Sequence, residues 1–211
     1  MTRTRLSTTI GWICLFLFII TLVITLTINA YPLYVWEVTH LQILDYVDLS
    51  KGDLLKNYRE LMGYLNLPWR STLVLSGFPV SESGALHFYE VKKLFMLNYG
   101  VLLVTVIPAL AFLYALAKES RLWQLVRPFQ VGAMVPVIMG FLMLVGFDQF
   151  FVGFHQLFFD NDAWLFDPRT DPIINVLPQE YFMHCFVLGF TLLEVIFIIG
   201  IVIGRRQFNR K

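Results

Sequence analysis

Apolar positions run almost unbroken for a bilayer's width four times along the chain: from about Ile10 to Tyr31, Leu94 to Ala117, Val131 to Phe151 and Tyr181 to Gly204. A hydrocarbon core about 30 Å thick needs roughly 20 such residues in a helix. A helix also closes its own backbone hydrogen bonds where no water can. Each run therefore predicts a transmembrane helix. The first follows Arg3 and Arg5 as a secretory signal would. Its apolar stretch exceeds the roughly 7–15 residues of a signal core, and no small-residue cleavage pattern follows, so it reads as a retained span.

Polarity returns in two long connections, 32–93 and 152–180, and these carry element signals of their own. Ser50-Lys-Gly-Asp53 has the form of a capping box, and Leu54, Leu55, Tyr58, Leu61, Met62 and Leu65 follow at helical spacing. Leu67-Pro68 ends that helix, and Thr72-Leu-Val-Leu75 predicts a short strand. Asp167-Pro168 and Asp171-Pro172 are turn or helix-start signals, and Pro178 suits the first turn of the last span. The expected fold is an all-α membrane protein. A four-transmembrane-helix bundle carries a small mixed extracytoplasmic cap formed by 32–93 and 152–180, all in one membrane domain over 1–211.

Composition agrees with a bilayer. Hydrophobic residues make up 57% and charged residues only 15%, against about 25% charged in soluble domains. The formal net charge of +1 gives no basic surplus for nucleic acid. Placement of charge is more informative. Arg3, Arg5, Lys118, Arg121, Arg127, Arg205, Arg206, Arg210 and Lys211 share one side with a single acid, Glu119. The opposite side has seven basic and thirteen acidic residues, counting Asp148 at the outer end of the third run. The positive-inside rule puts both termini in the cytoplasm and the two long connections outside. Cys14 and Cys185 fall near opposite faces, too far apart for a disulfide. The absence of a C-x-x-C excludes a dithiol oxidoreductase.

The candidate chemistry gathers outside. His40, His87, His155 and His184 all lie in the outer connections or at outer helix ends, and imidazole both takes and gives a proton near neutral pH. Ser83 is the expected cap of a helix that puts His87 and Glu90 on one face at i, i+3, and Asp148 and His155 share a face at i, i+7. Singly, each histidine reads as an interfacial side chain with a wet tip; two at the outer ends of adjacent antiparallel helices point to a shared pocket. Asp160, Asp162, Asp167 and Asp171 around His155 read as turn chemistry rather than a metal site. Ser81 and Ser83 lack a G-x-S-x-G context. Glu194, near the middle of the last span, is expected to hydrogen-bond between helices.

Phe154-His155-Gln-Leu-Phe-Phe159, Trp164-Leu-Phe-Asp-Pro168, Asp171, Leu177-Pro178 and Tyr181-Phe182, with Gly77-Phe-Pro79 leading to His87, together resemble the lipoprotein intramolecular transacylase family of Gram-positive bacteria. Its members are similar four-span proteins of about this length. The resemblance implies an acyltransferase of the bacterial plasma membrane acting on diacylglyceryl-modified lipoproteins. The sn-2 acyl chain moves to the α-amino group of the lipoprotein's own N-terminal cysteine, leaving a lyso-form lipoprotein. It implies no cofactor, metal, nucleotide or nucleic acid. His155 and His87 are the expected catalytic pair, in either order as base and acid, and an acyl-histidine relay is equally compatible. Arg70 and Tyr89 are candidates for the oxyanion. Glu90, Asp148, Asp162, Trp164 and Tyr181 are candidates for binding or orienting substrate, with membrane lipid around them. The rival readings are a haem-binding electron-transfer bundle with histidine ligands and a non-enzymatic receptor or assembly module.

Overall fold

A computed structural model describes residues 2–209, with side chains from Ser7 onward. Arg210 and Lys211 lie outside the described residues, as do the side chains of Arg3 and Arg5, so the expectation that these charges face the cytoplasm rests on the sequence alone. Seven α-helices follow in order: α1 Thr2–Ile28, α2 Tyr31–His40, α3 Lys51–Asn66, α4 Glu82–Lys118, α5 Val126–Val145, α6 Phe147–Phe158 and α7 Gln179–Phe208. Short 3-10 turns occupy Ile43–Tyr46, Leu122–Leu125 and Pro172–Val176. Four helical stretches are long and apolar enough to cross a membrane: Ser7–Ile28, Glu82–Lys118, Leu122–Val145 and Gln179–Phe208. At 37 residues, α4 extends about 55 Å. A hydrocarbon core of about 30 Å uses only part of that length.

The described residues form two compact units: 2–29, 98–145 and 186–209 in one, 30–97 and 146–185 in the other. In the first, Leu15, Ile19, Ala109, Leu116, Leu125, Phe129 and Phe197 form the interior, while Leu103, Val104, Ile107, Val131 and Leu144 are exposed as a lipid-facing surface requires. Without water to drive helices together, close packing at small residues does so. A Cβ at Gly200 would lie 2.3 Å from the ring of buried Phe129. Polar side chains pair across helices, as in Asn98 Nδ2 to Thr25 Oγ1 at 2.8 Å and Asn29 Nδ2 to the Tyr99 hydroxyl at 2.9 Å. Glu194 departs from expectation. Its Oε1 is buried without a hydrogen-bond partner, beside a cavity of about 300 Å³ lined by Gln130, Met134 and Val137. Gln130 lines the same cavity without a hydrogen bond to that oxygen.

The second unit is built on three tyrosines. Tyr34 stacks on Tyr58 with ring centroids 3.7 Å apart and donates to the Val176 carbonyl at 2.9 Å; the Tyr58 and Tyr181 hydroxyls meet at 2.8 Å. Burial pushes the Tyr58 phenol up to about 12 and raises Tyr34 as well, so both hold their protons. α3 starts as expected, with Ser50 Oγ accepting from Asp53 N at 3.1 Å, and buries Leu54, Tyr58, Leu61 and Leu65. The strand expected at Thr72–Leu75 does not form, and no strand occurs among the described residues. The backbone just beyond it bonds to side chains of α3 instead of a ladder: Ser76 N to Glu60 Oε2 at 2.8 Å and Gly77 N to Asn57 Oδ1 at 2.7 Å.

Two details fix the elements that carry the histidines. The apolar run from Val131 to Phe151 is divided at Gly146, whose extended backbone separates α5 from α6. The cap of α4 is Ser81 rather than Ser83: its Oγ accepts from Gly84 N at 2.9 Å, while Ser83 lies inside the helix. Asp171, nearly fully buried, holds that start. One carboxylate oxygen accepts from Ser81 N at 2.8 Å and the other from Thr170 Oγ1 at 2.9 Å. Gly84 permits this approach, since a Cβ there would come within 2.3 Å of Asp171 Oδ1 and 3.0 Å of the Phe166 ring.

Two predictions follow from this packing. Gly200→Ala forces the Phe129 ring aside and should cost about 1–3 kcal/mol, read as a lowered thermal midpoint in detergent; an unchanged midpoint would mean the helices separate freely. Asp171→Ala leaves the Ser81 N–H without its acceptor and should cost about 1–3 kcal/mol, measured by the same melt with catalytic rate followed in parallel.

Candidate functional site

Within the second unit, α4 and α6 bring His87 and His155 together, with ring centroids 5.9 Å apart. His87 is 6% exposed and His155 is half-buried. Aromatic rings enclose them. Phe159 lies 4.8 Å and Phe166 5.5 Å from His87, both edge-on; Phe151 lies 4.2 Å from His155, and Trp164 stacks on it at 4.7 Å.

The two imidazoles are wired differently. His155 Nδ1 lies 2.8 Å from the carbonyl of Phe151, one helical turn back. A carbonyl only accepts, so Nδ1 carries the proton and the lone pair is on Nε2. His87 Nδ1 is buried with no hydrogen-bond partner. Burial holds His155 below the ordinary histidine value, opposed by its bond to Phe151. Near neutral pH it is therefore an uncharged base.

The other expected residues are distributed around this pair. Glu90, one turn after His87, accepts from Asn161 Nδ2 at 3.0 Å and has its other oxygen buried without a hydrogen-bond partner. Trp164 forms a wall against His155, on the turn closed by Leu165 N donating to the Asp162 carbonyl at 3.0 Å; the Asp162 side chain is exposed. Asp148 is exposed and accepts from Gln179 Nε2 at 2.9 Å, so His155 is oriented by a backbone carbonyl rather than by that acid. Tyr181 is buried against Tyr58. Arg70 is exposed, its guanidinium against Gly63, and its carbonyl accepts from buried Lys92. Tyr89 is exposed with Lys93 Nζ 4.9 Å over its ring.

Sequence reasoning missed Phe151, Phe159 and Phe166 as walls, because in an apolar chain they look like lipid-facing residues. It also missed a second histidine cluster. Glu37 is fully buried and 2.5 Å from His184 Nδ1, while His40 stacks on Trp36 at 4.1 Å and lies 5.9 Å from His184. Among the described residues, no three His, Cys, Asp or Glu side chains are grouped to hold a metal ion.

Comparison with known proteins reaches nearly the whole chain. The family model described as lipoprotein intramolecular transacylase Lit matches residues 9–182. The structure of the membrane integral lipoprotein intramolecular transacylase Lit from Bacillus cereus aligns at TM-score 0.91 and 28% identity, covering 98% of this chain and 96% of that one. Two variants of that protein, with one histidine replaced by arginine or by alanine, align at 0.82 and 0.83, again at 28% identity and 98% of this chain, covering 92% and 94% of theirs. No curated protein matches. With the family model spanning most of the sequence and the fold shared end to end, the chain belongs to the lipoprotein intramolecular transacylase Lit family.

Proposed function

We propose that this chain moves the sn-2 acyl chain of a diacylglyceryl-cysteine lipoprotein onto that lipoprotein's own α-amino group, with His155 as base and His87 as acid. The observation that carries the reading is the pair of unequal imidazoles, 5.9 Å apart within one aromatic enclosure. His155 Nε2 takes a proton from the α-ammonium, and the freed amine attacks the ester carbonyl carbon. The nitrogen of the tetrahedral intermediate still carries a second proton to lose; His87 takes it at its unpartnered Nδ1 and passes it to the glycerol oxygen as the C–O bond breaks. An ester becomes an amide, so no ATP or acyl carrier is needed. One proton is released for each ammonium consumed. Amine and ester belong to one molecule, so holding them in a near-attack geometry supplies part of the rate. The indole face of Trp164 favours the imidazolium that His155 becomes.

The topology that goes with this reading is a single domain in a bacterial plasma membrane. Spans lie at about 10–31, 94–117, 131–151 and 181–204, both termini are cytoplasmic, and the histidines work on the outer side. Lipoprotein and membrane lipid are the partners, without cofactor, metal, nucleotide or nucleic acid. Trp164 and Glu90 contact or orient the substrate, with Asp162 and Tyr181 supporting them from the turn and from the tyrosine core. Arg70, Tyr89 and Asp148 are further candidates at the rim. Family membership speaks against the haem and receptor alternatives; a Soret band in the purified protein would reopen the first.

Purified protein mixed with a diacylated lipopeptide should give the lyso form at unchanged total mass, identified by fragmentation. His155→Ala and His87→Ala should each slow conversion about 100-fold or more, and parent rates in both variants would remove the dyad. The pH profile is a separate check. The lowered His155 value keeps its neutral form present in mildly acidic solution, so kcat/KM should hold as pH falls past 6.5 and be lost only below it. An acid limb centred above 6.5 would exclude His155 as the base.

A further inference from the structure

We infer that Glu90 forms the subsite for the substrate's α-ammonium group, a reading that rests on the transacylase function proposed above. The lipidated cysteine arrives with two acyl chains, which the aromatic walls can accept, and one positive charge, which they and two imidazoles do not neutralise. A carboxylate near the dyad meets that need: Asp171 has both oxygens engaged by Thr170 Oγ1 and Ser81 N, whereas Glu90 keeps one oxygen open. It follows His87 by three residues on α4 and so neighbours it on the helix surface.

Its hydrogen bonding is half complete. Oε1 accepts from Asn161 Nδ2 at 3.0 Å, while Oε2 is buried with no hydrogen-bond partner. A carboxyl oxygen withdrawn from water without a donor is costly, and native structures rarely leave one. An ammonium ion, with three donors and a full charge, would satisfy it. The cations nearest in sequence are committed elsewhere: Lys92 Nζ donates to the carbonyls of Leu67 and Arg70, and Lys93 Nζ lies over the Tyr89 ring.

Asn161 ties this carboxylate to the reacting pair. Its Oδ1 accepts from Ala163 N at 2.9 Å, so its amide is fixed when Nδ2 reaches Glu90. The same short loop supplies Phe159 against His87 and Trp164 against His155. The carboxylate holds the ammonium while His155 Nε2 withdraws a proton. Once the nitrogen is neutral, the electrostatic hold falls away and the amine is free to attack.

The test uses the full-length protein in detergent and two lipopeptides whose sn-2 ester is replaced by an ether, so that neither can react. One has a free α-amine and the other is N-acetylated. The parent protein should bind the free-amine form about 10- to 100-fold more tightly, the range of one charge-assisted hydrogen bond. Glu90→Gln, which keeps the shape and the Asn161 contact, should abolish the preference by weakening only free-amine binding. Glu90→Asp, with the charge drawn back, should retain part of it and serves if the glutamine variant does not fold. Equal binding of the two ligands by the parent, or a preference that survives in Glu90→Gln, overturns the proposal. Conversion of the ester lipopeptide by the parent is measured alongside. Its absence counts against the transacylase reading itself, whereas conversion without amine preference counts against Glu90 alone.

Discussion

The bond from His155 Nδ1 to the carbonyl of Phe151, 2.8 Å long and internal to α6, is the contact on which the proposed chemistry rests. It fixes the tautomer and aims Nε2 away from the helix without using a charged partner. A carboxylate in that position would favour the imidazolium and carry a desolvation cost among aromatic rings. The same unit contains the opposite solution. His184 is bound to the fully buried Glu37 at 2.5 Å, an arrangement suited to locking α2 against α7. One histidine is tied to a carboxyl group on another helix and joins the two elements. The other is tied to a backbone carbonyl of its own helix.

That distinction explains why the surroundings of His87 and His155 are aromatic. Phe, Tyr and Trp have two side-chain torsions each, so a wall of them is rigid at modest entropic cost. Phe159 and Phe166 meet His87 edge-on while Trp164 lies flat on His155, so each ring is confined in position but not supplied with protons. The confinement depends in turn on how α4 begins. Asp171 takes the Ser81 N–H, and the bare Cα of Gly84 lets Asp171 and Phe166 close on the first turn. His87 is one turn further along.

Much of this was legible in the chain, and what was hidden has a physical reason. Long apolar runs specify helices through solvation alone, so four of them were visible without any knowledge of their neighbours. The Ser50 cap was also visible, because a capping box is complete within four residues. Local signals failed where two choices were locally equivalent. Ser81 and Ser83 both suit a cap, and the contact with Asp171, ninety positions away, selects the first. Thr72–Leu75 has strand composition, but a strand needs a partner and α3 took the neighbouring backbone bonds instead. Asp148 and His155 share a face at i, i+7, yet Asp148 pairs with Gln179 and His155 with the Phe151 carbonyl. Glu37 with His184, and Glu90 with Asn161, are separated by 147 and 71 positions, and no periodicity announces either pair.

The unequal treatment of the two imidazoles also fits the demands of an intramolecular acyl transfer. Such a reaction needs no site for a second substrate and no store of chemical energy. It does need to bend one flexible molecule until its amine faces its own ester. Two charged imidazoles would repel each other and the ammonium alike, and two fully solvated ones would admit water, which competes with the amine for the acyl group. Burial bears on both problems: it lowers the proton affinity of His155, and aromatic rings around the pair narrow the approach of water. The aromatic enclosure is thus more than a passive lining for lipid. In the proposed mechanism it would keep His155 unprotonated as the base and favour the amine over water as acceptor.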